Sequence, residues 1–281
     1  MLQLTDEKIK WMEGKAGEIR QSIIQMLVEA GSGHSAGPLG MADIFTALYF
    51  FILKHDPTNP TWGDRDRLVL SNGHICPVYY ATLAHAGYFK LEELMTLRKF
   101  GTRLQGHPHR EYLEFLETSS GPLGSGLSQA IGMCLADKMD NGKYSPKQFY
   151  CLLSDGELDE GNTWEAVMLG AKEQLQNLTV IIDRNNIQIE GNTEDIMPLE
   201  PLKQKWEAFN WHTQVIDGHD FKQIVDAVLH AQAVSGMPSV IIANTVSGKG
   251  VSFMEGDYRW HGKPPSKEEG EKALEEIRNK K

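Results

Sequence analysis

Cysteine is scarce: three in 281 residues, an odd number without metal-ligand spacing, which argues against both a disulfide framework and a cysteine-held metal. Cys76, Cys134 and Cys151 each sit in an apolar stretch and read as core thiols of a protein in a reducing cytosol. Long hydrophobic runs are missing too. The longest, residues 44–53, includes Thr46 and is too short to span a membrane. Residues 1–20 are rich in charge and lack the apolar core of a signal peptide, so the expected location is the cytoplasm, with no membrane partner. Basic side chains are in deficit. With 28 Lys and Arg against 38 Asp and Glu, the net charge of −10 argues against a broad nucleic-acid surface. The one basic cluster, residues 278–281, closes an expected helix over 267–279 with acids early and bases late. Low-complexity linkers, internal repeats and domain boundaries are absent, and residues 1–281 read as a single domain of ordinary globular composition, 41% hydrophobic and 23% charged.

What is present is an alternation of helix and strand. Helical periodicity covers residues 6–29, 42–53, 75–86, 91–100, 127–139, 202–209 and 221–233, and short apolar runs at 68–70, 149–153, 178–183, 213–216 and 239–243 read as strands. This order predicts an α/β fold, a mainly parallel sheet covered by helices on both faces, with ligands beyond the strand carboxyl ends. Residues 101–126, rich in Gly, His and Pro, break all periodicity and form a long loop of the kind that carries function.

The sharpest signal lies between two strand ends. Ser154-Asp155-Gly156 closes the run 149–153, and about thirty residues after Asp155 the pair Asn185-Asn186 closes the run 178–183. Residues 161–175 between them place Trp164, Val167, Met168 and Ala171 at helical intervals. A strand, helix, strand unit crosses over right-handed and leaves its strands parallel, so Asp155 and Asn185 emerge at one sheet edge. One carboxylate and one neutral amide oxygen at one point suit Mg²⁺, which keeps coordination positions free for phosphate oxygens. The helix opening near Gly161-Asn162-Thr163 would direct free N–H groups at a diphosphate, and Gly156 would let the backbone approach it. Either dipeptide alone reads as an ordinary turn; together they favour a metal-diphosphate site.

The stretch from Asp155 to Asn186 resembles the thiamine diphosphate motif, normally Gly-Asp-Gly followed about thirty residues later by Asn-Asn, with Ser154 in place of the first glycine. Gly33-His34, Gly37-Pro38-Leu39-Gly40, Asp64-Arg65-Asp66-Arg67, Leu70-Ser71-Asn72-Gly73-His74, Gly106-His107-Pro108 and residues 121–126 are similar to transketolase segments in that family's order. The resemblance runs from about Asp6 to His261 and is to the family's amino-terminal, diphosphate-binding domain. It implies thiamine diphosphate with Mg²⁺, or another divalent cation such as Ca²⁺ or Mn²⁺, held by Asp155, Asn185 and the Ile187 backbone carbonyl. It places Gly121, Pro122, Leu123 and Gly156 against the cofactor, and it assigns His74 and His261 to the diphosphate and the channel. His34 and His107 go mainly to sugar hydroxyls, so His34, His107 and His261 are the expected catalytic side chains. Glu160 and Glu165 sit where similar glutamates link active sites, although dipole compensation explains both. Lys249 reads as a phosphate neighbour or a solvated turn residue, and His55, His85, His109, His212, His219 and His230 as packing or surface residues.

The implied reaction transfers a two-carbon ketol unit from a ketose phosphate to an aldose. The family clamps its cofactor between two domains, and residues 262–281 are too few to hold the second. The expectation is therefore the amino-terminal subunit of a split transketolase, paired with a separate carboxyl-terminal subunit, two copies of each. The alternatives are the α subunit of a 2-oxoacid dehydrogenase, a non-catalytic subunit of the same fold, and a truncated longer chain.

Overall fold

The computed structural model describes residues 4–279; Lys280 and Lys281, the end of the basic cluster, lie outside them. Helix α1 (Asp6–Ala30) opens on a Thr5 side-chain cap and stops at Gly31 in the left-handed conformation. Helix α2 (Ala36–Ala47) starts six residues earlier than periodicity indicates, because Gly37 and Pro38 fit its first turn, and a wide π-helical turn, Leu48–Ile52, continues it. Strand β1 (Arg67–Leu70) leads through a short turn into α3 (Cys76–His85). The helix expected over 91–100 shrinks to a 3-10 turn, Leu91–Thr96, since Gly101 and a left-handed Arg98 break its continuation. Residues 97–124 form the long loop, followed by α4 (Ser125–Asn141), β2 (Phe149–Ser154), α5 (Gly161–Lys172) and β3 (Leu178–Arg184). A two-stranded hairpin, β4 (Ile187–Gln188) and β5 (Gly191–Asn192), and the short α6 (Thr193–Ile196) come next, too brief to leave a periodic signal. The chain then runs through α7 (Leu202–Ala208), β6 (His212–Asp217), α8 (Phe221–Ala233), β7 (Ser239–Asn244) and α9 (Lys267–Asn279).

The main sheet has the order β1-β2-β3-β7-β6 and every pairing is parallel. Every residue of β2 and β3 is buried, as strands covered on both faces must be. Their side chains alternate between two cores. Tyr150, Leu152, Ile181 and Ile241 pack with α1, α2, α3 and α8; Cys151, Leu153, Val180, Ile182 and Val240 pack with α4, α5 and α7. All three cysteines are buried free thiols. Among the described residues no helix is long and apolar enough to cross a membrane.

Candidate functional site

β2 and β3 are neighbours, with Ser154 opposite Asp183, so Asp155 and Asn185 do leave one sheet edge side by side. Each strand end is turned by a local device. Asp155 caps a 3-10 turn, Gly156–Asp159, by accepting from the Gly156 N–H at 2.8 Å, and its second oxygen accepts from the Asn186 N–H at 2.7 Å. Asn186 holds a left-handed φ of 64°, which asparagine tolerates and which reverses the chain into β4. Asn185 donates to Asp183 Oδ2 at 2.9 Å and accepts the Ile187 N–H at 3.0 Å. The Thr245 hydroxyl, following β7, donates to Asp183 Oδ1, so three strand ends meet.

These groups line a cavity of about 490 Å³. His34, His74, His107 and His261, drawn from four separate segments, line it as well, with Gly37, Gly121 and Leu123. Three of the rings touch: the centroids of His34 and His74 are 5.0 Å apart, His74 and His261 5.2 Å, and His34 and His261 5.5 Å. Burial lowers the pKa of all four. For His34 the cation of Arg98 and the repulsion it would meet from His261 and His107 once protonated add to burial, bringing it to about 4, and His74 lies well below the ordinary value through burial and the same histidines. The cluster is therefore neutral near pH 7, four imidazoles able to donate or accept a proton.

The acids behave oppositely. Burial pushes Asp155 up to about 6 against the pull of the Asn186 N–H and Arg184, and pushes Asp183 up to about 7, with Asp155 adding repulsion. Arg184, at 3.3 Å from Asp155, also serves Glu194 and Glu200. Two under-compensated buried acids at one edge form the electrostatic setting that a divalent cation relieves. Among the described residues no group of three His, Cys, Asp or Glu side chains could hold a metal, so a cation here would depend on amide and backbone oxygens as well as Asp155. Two residues of the cavity lining carry a buried polar atom without a partner among the described residues, His34 Nδ1 and Gln188 Oε1, and so does Asn72, next to Gly73-His74, with both amide atoms. Gly121, with φ of 154°, has open space where a side chain would stand, leaving the backbone of that turn approachable. The cavity thus fits an anionic, metal-bearing cofactor with an apolar portion.

Several expectations change in the folded chain. The 3-10 turn separates Asp155 from α5, so Gly156, Glu157, Asp159 and Glu160 line the cavity and Gly161, Asn162 and Thr163 do not. Pro122 and Lys249 are likewise off the wall. Met168, expected on the buried face of α5, is 52% exposed. His219 is more than packing: it bonds Asp43 at 2.7 Å and accepts the Val246 N–H at 2.8 Å, pinning the loop after β7 to the Arg20–Asp43 ion pair.

Glu157 is the residue that the motif hides. Wholly buried, it accepts from the Ser71 hydroxyl, from the Gly124 N–H at 2.5 Å and from the Ser154 N–H at 3.3 Å, joining the ends of β1 and β2 to the turn at 121–124. Its one sequence signal is a carboxylate directly behind Gly156, where a buried strand has just ended.

Residues 13–279 match the family described as transketolase, thiamine diphosphate binding domain. The chain belongs to the transketolase family. It is 43% identical over 95% of its length to the 6-deoxy-6-sulfo-D-fructose transketolase subunit of Clostridium sp. (strain MSTE9), covering 96% of that protein. It is 37% identical over 96% of its length to an apulose-4-phosphate transketolase subunit of Phocaeicola vulgatus, covering 95% of it. The transketolase of Campylobacter jejuni superposes on 95% of the chain with a TM-score of 0.90 at 37% identity, and the chain spans 43% of that protein. The domain that defines the family binds thiamine diphosphate.

Proposed function

We propose that this chain is the thiamine diphosphate-binding subunit of a two-chain transketolase, which with a separate partner transfers a two-carbon ketol unit from a ketose phosphate to an aldose. The observation that carries the reading is the meeting of Asp155 and Asn185, at adjacent strand ends, with His34, His74, His107 and His261 around one cavity. Two relatives matched over 95% or more of their own length are named as transketolase subunits, which supports a partner chain. Leu123 and Ile189, which line the cavity, are exposed apolar side chains that a partner would cover. Two copies of each subunit, a single domain over residues 1–281 and a cytoplasmic location complete the reading, the last consistent with three free buried thiols.

Thiamine diphosphate, when bound, supplies the carbanion chemistry. Asp155, the Asn185 amide oxygen and the Ile187 carbonyl would hold Mg²⁺ or a similar hard cation, an all-oxygen set of the right type. Gly156, His74, His261 and residues 121–123 would hold the diphosphate and thiazolium. His34, His107 and His261, kept neutral by burial, would bind sugar hydroxyls and take or return a substrate proton. Both subunit relatives are named for sugars that carry a sulfo or phosphate group, so an anionic sugar is the substrate class.

The test is reconstitution with Mg²⁺ and thiamine diphosphate. The expected result is ketol transfer by the complex and none by the chain alone, with native mass spectrometry recording a second chain and retained cofactor. Robust transfer by the chain alone defeats the two-chain reading, and turnover of a 2-oxoacid in place of a ketose defeats the reaction assignment.

A further inference from the structure

The last residue of β3 is a buried cation beside the acid proposed to hold a metal. Arg184 stands between Asp183 and Asn185 in the chain, and its side chain is 4% exposed. A buried guanidinium needs partners for its charge and for its fork of donors. Arg184 has three carboxylates: Nη1 donates to Asp155 Oδ2 at 3.3 Å, and Nη2 donates to Glu194 Oε1 at 2.6 Å and to Glu200 Oε1 at 3.2 Å. Both glutamates are anchored in turn. Glu194 accepts the Leu199 N–H at 3.1 Å, and Glu200 accepts, through its other oxygen, the Leu202 N–H at 2.8 Å, where α7 begins. The fork is thereby fixed from the outer side, and the two glutamates offset its charge, so its other end can meet Asp155 without cancelling that carboxylate's attraction for a cation.

The arrangement restricts what Asp155 can offer. An ionised carboxylate has about four acceptor positions, two on each oxygen. Oδ2 accepts the Asn186 N–H at 2.7 Å and Arg184 Nη1, so both of its positions are taken. Among the described residues Oδ1 accepts only the Gly156 N–H, at 2.8 Å, and keeps one position. A cation at Asp155 would therefore find a single oxygen. Mg²⁺ demands near-ideal octahedral geometry and suits a carboxylate bound through one oxygen, whereas Ca²⁺ takes more oxygens in a looser shell and readily accepts a carboxylate through both.

We propose that Arg184 is a positioning residue of the cation site: by occupying the second oxygen of Asp155 it confines the carboxylate to binding through one oxygen and shifts the preference of the site toward Mg²⁺ and away from Ca²⁺. The inference deepens the proposed function and rests on its reading of Asp155 as a cation ligand.

The test reads cation affinity and needs no turnover. Mg²⁺ and Ca²⁺ are each titrated by calorimetry into the metal-free reconstituted complex in the presence of thiamine diphosphate. The wild type is compared with Arg184→Met, which keeps side-chain bulk without donors, and with Arg184→Lys, whose single ammonium lacks the spread of the fork. Losing a positive charge acts alike on two divalent cations and cancels in the ratio of their dissociation constants; releasing Oδ2 does not cancel. Outer partners of a metal ligand change affinity by about 10- to 100-fold, so the Ca²⁺ to Mg²⁺ ratio of dissociation constants is expected to fall about 10-fold in Arg184→Met and by less in Arg184→Lys. A merely structural arginine would lower the melting temperature and leave the ratio where it was. An unchanged or higher ratio in Arg184→Met overturns the assignment, whatever happens to the two affinities themselves. Should Arg184→Met fail to fold, Arg184→Lys decides: a lowered ratio supports the assignment and an unchanged or higher one overturns it. A wild-type complex that binds neither cation defeats the reading of Asp155 as a ligand and this inference with it, while binding at an unaltered ratio defeats this inference alone.

Discussion

Replacing Glu157 by glutamine changes one oxygen to an NH₂ group in a place where three donors point at the side chain. One carboxylate oxygen takes the Ser71 hydroxyl and the Gly124 N–H, and the other takes the Ser154 N–H. A glutamine that keeps its oxygen toward Ser71 and Gly124 turns its NH₂ on the Ser154 N–H, leaving that buried donor unpaired. An unsatisfied buried donor costs about 1–3 kcal/mol, and the two remaining bonds lose their charge assistance, about 1 kcal/mol each. Against this stands the relief of burying no charge, since burial already raises the Glu157 pKa. The balance is a loss of about 2–4 kcal/mol for Glu157→Gln, and roughly 3–5 for Glu157→Ala, which strands all three donors. Ser71 relays the effect, because its hydroxyl also accepts the Gly126 N–H at 3.0 Å. The turn at 121–124 would then lose its tether, and cofactor affinity would fall with stability. Urea unfolding followed by circular dichroism measures the first, and calorimetric titration of thiamine diphosphate with Mg²⁺ measures the second. A Glu157→Gln protein that unfolds at the wild-type midpoint and binds cofactor equally well would refute this reasoning.

Asp155→Asn relieves a buried acid whose pKa is pushed up to about 6, but its NH₂ must then face the Gly156 or the Asn186 N–H, so the apoprotein should lose about 1–2 kcal/mol while the thermal shift produced by Mg²⁺ and thiamine diphosphate disappears; a retained shift in scanning fluorimetry counts against Asp155 as a ligand. His34 has its folded pKa lowered to about 4, so the unfolded chain binds more protons between the two values and stability falls as pH drops from about 6.5 toward 4. His34→Gln should flatten that limb by about 2 kcal/mol after discounting for solvent screening, and denaturation midpoints across this pH range check it. Gly124→Ala places a Cβ against Asn162 Oδ1 and 2.8 Å from Thr163 Oγ1 at a φ of 78°, for a loss of about 2–3 kcal/mol; a neutral effect on thermal unfolding would show that the turn is not held as described.

Strand and helix order was legible because each signal is local. The apolar runs of β2 and β3 are short, wholly buried and bounded by turn residues, and α8 runs over Phe221–Ala233, the span its periodicity indicates. The spacing of Asp155 and Asn185 was equally readable, since a parallel unit with one crossover helix puts both at one edge. Boundaries slipped where propensity and context disagree, at the first turn of α2 and at the end of the 3-10 turn before Arg98.

Residue order alone picks out the side chains proposed to carry the chemistry: an acid and an amide at two strand ends, and four histidines in glycine-flanked loops. Only the tertiary structure decided that they share one cavity, that the histidines are neutral and the acids hard to ionise, and which residues brace them. Burial sets those pKa values, and burial belongs to the assembled fold. Glu157 bonds to Ser71, 86 positions earlier, and to Gly124, 33 positions earlier, while the Arg98 guanidinium lies against Gly106, the residue before His107. No local pattern records such contacts, because they form only when distant segments are folded against the same sheet edge.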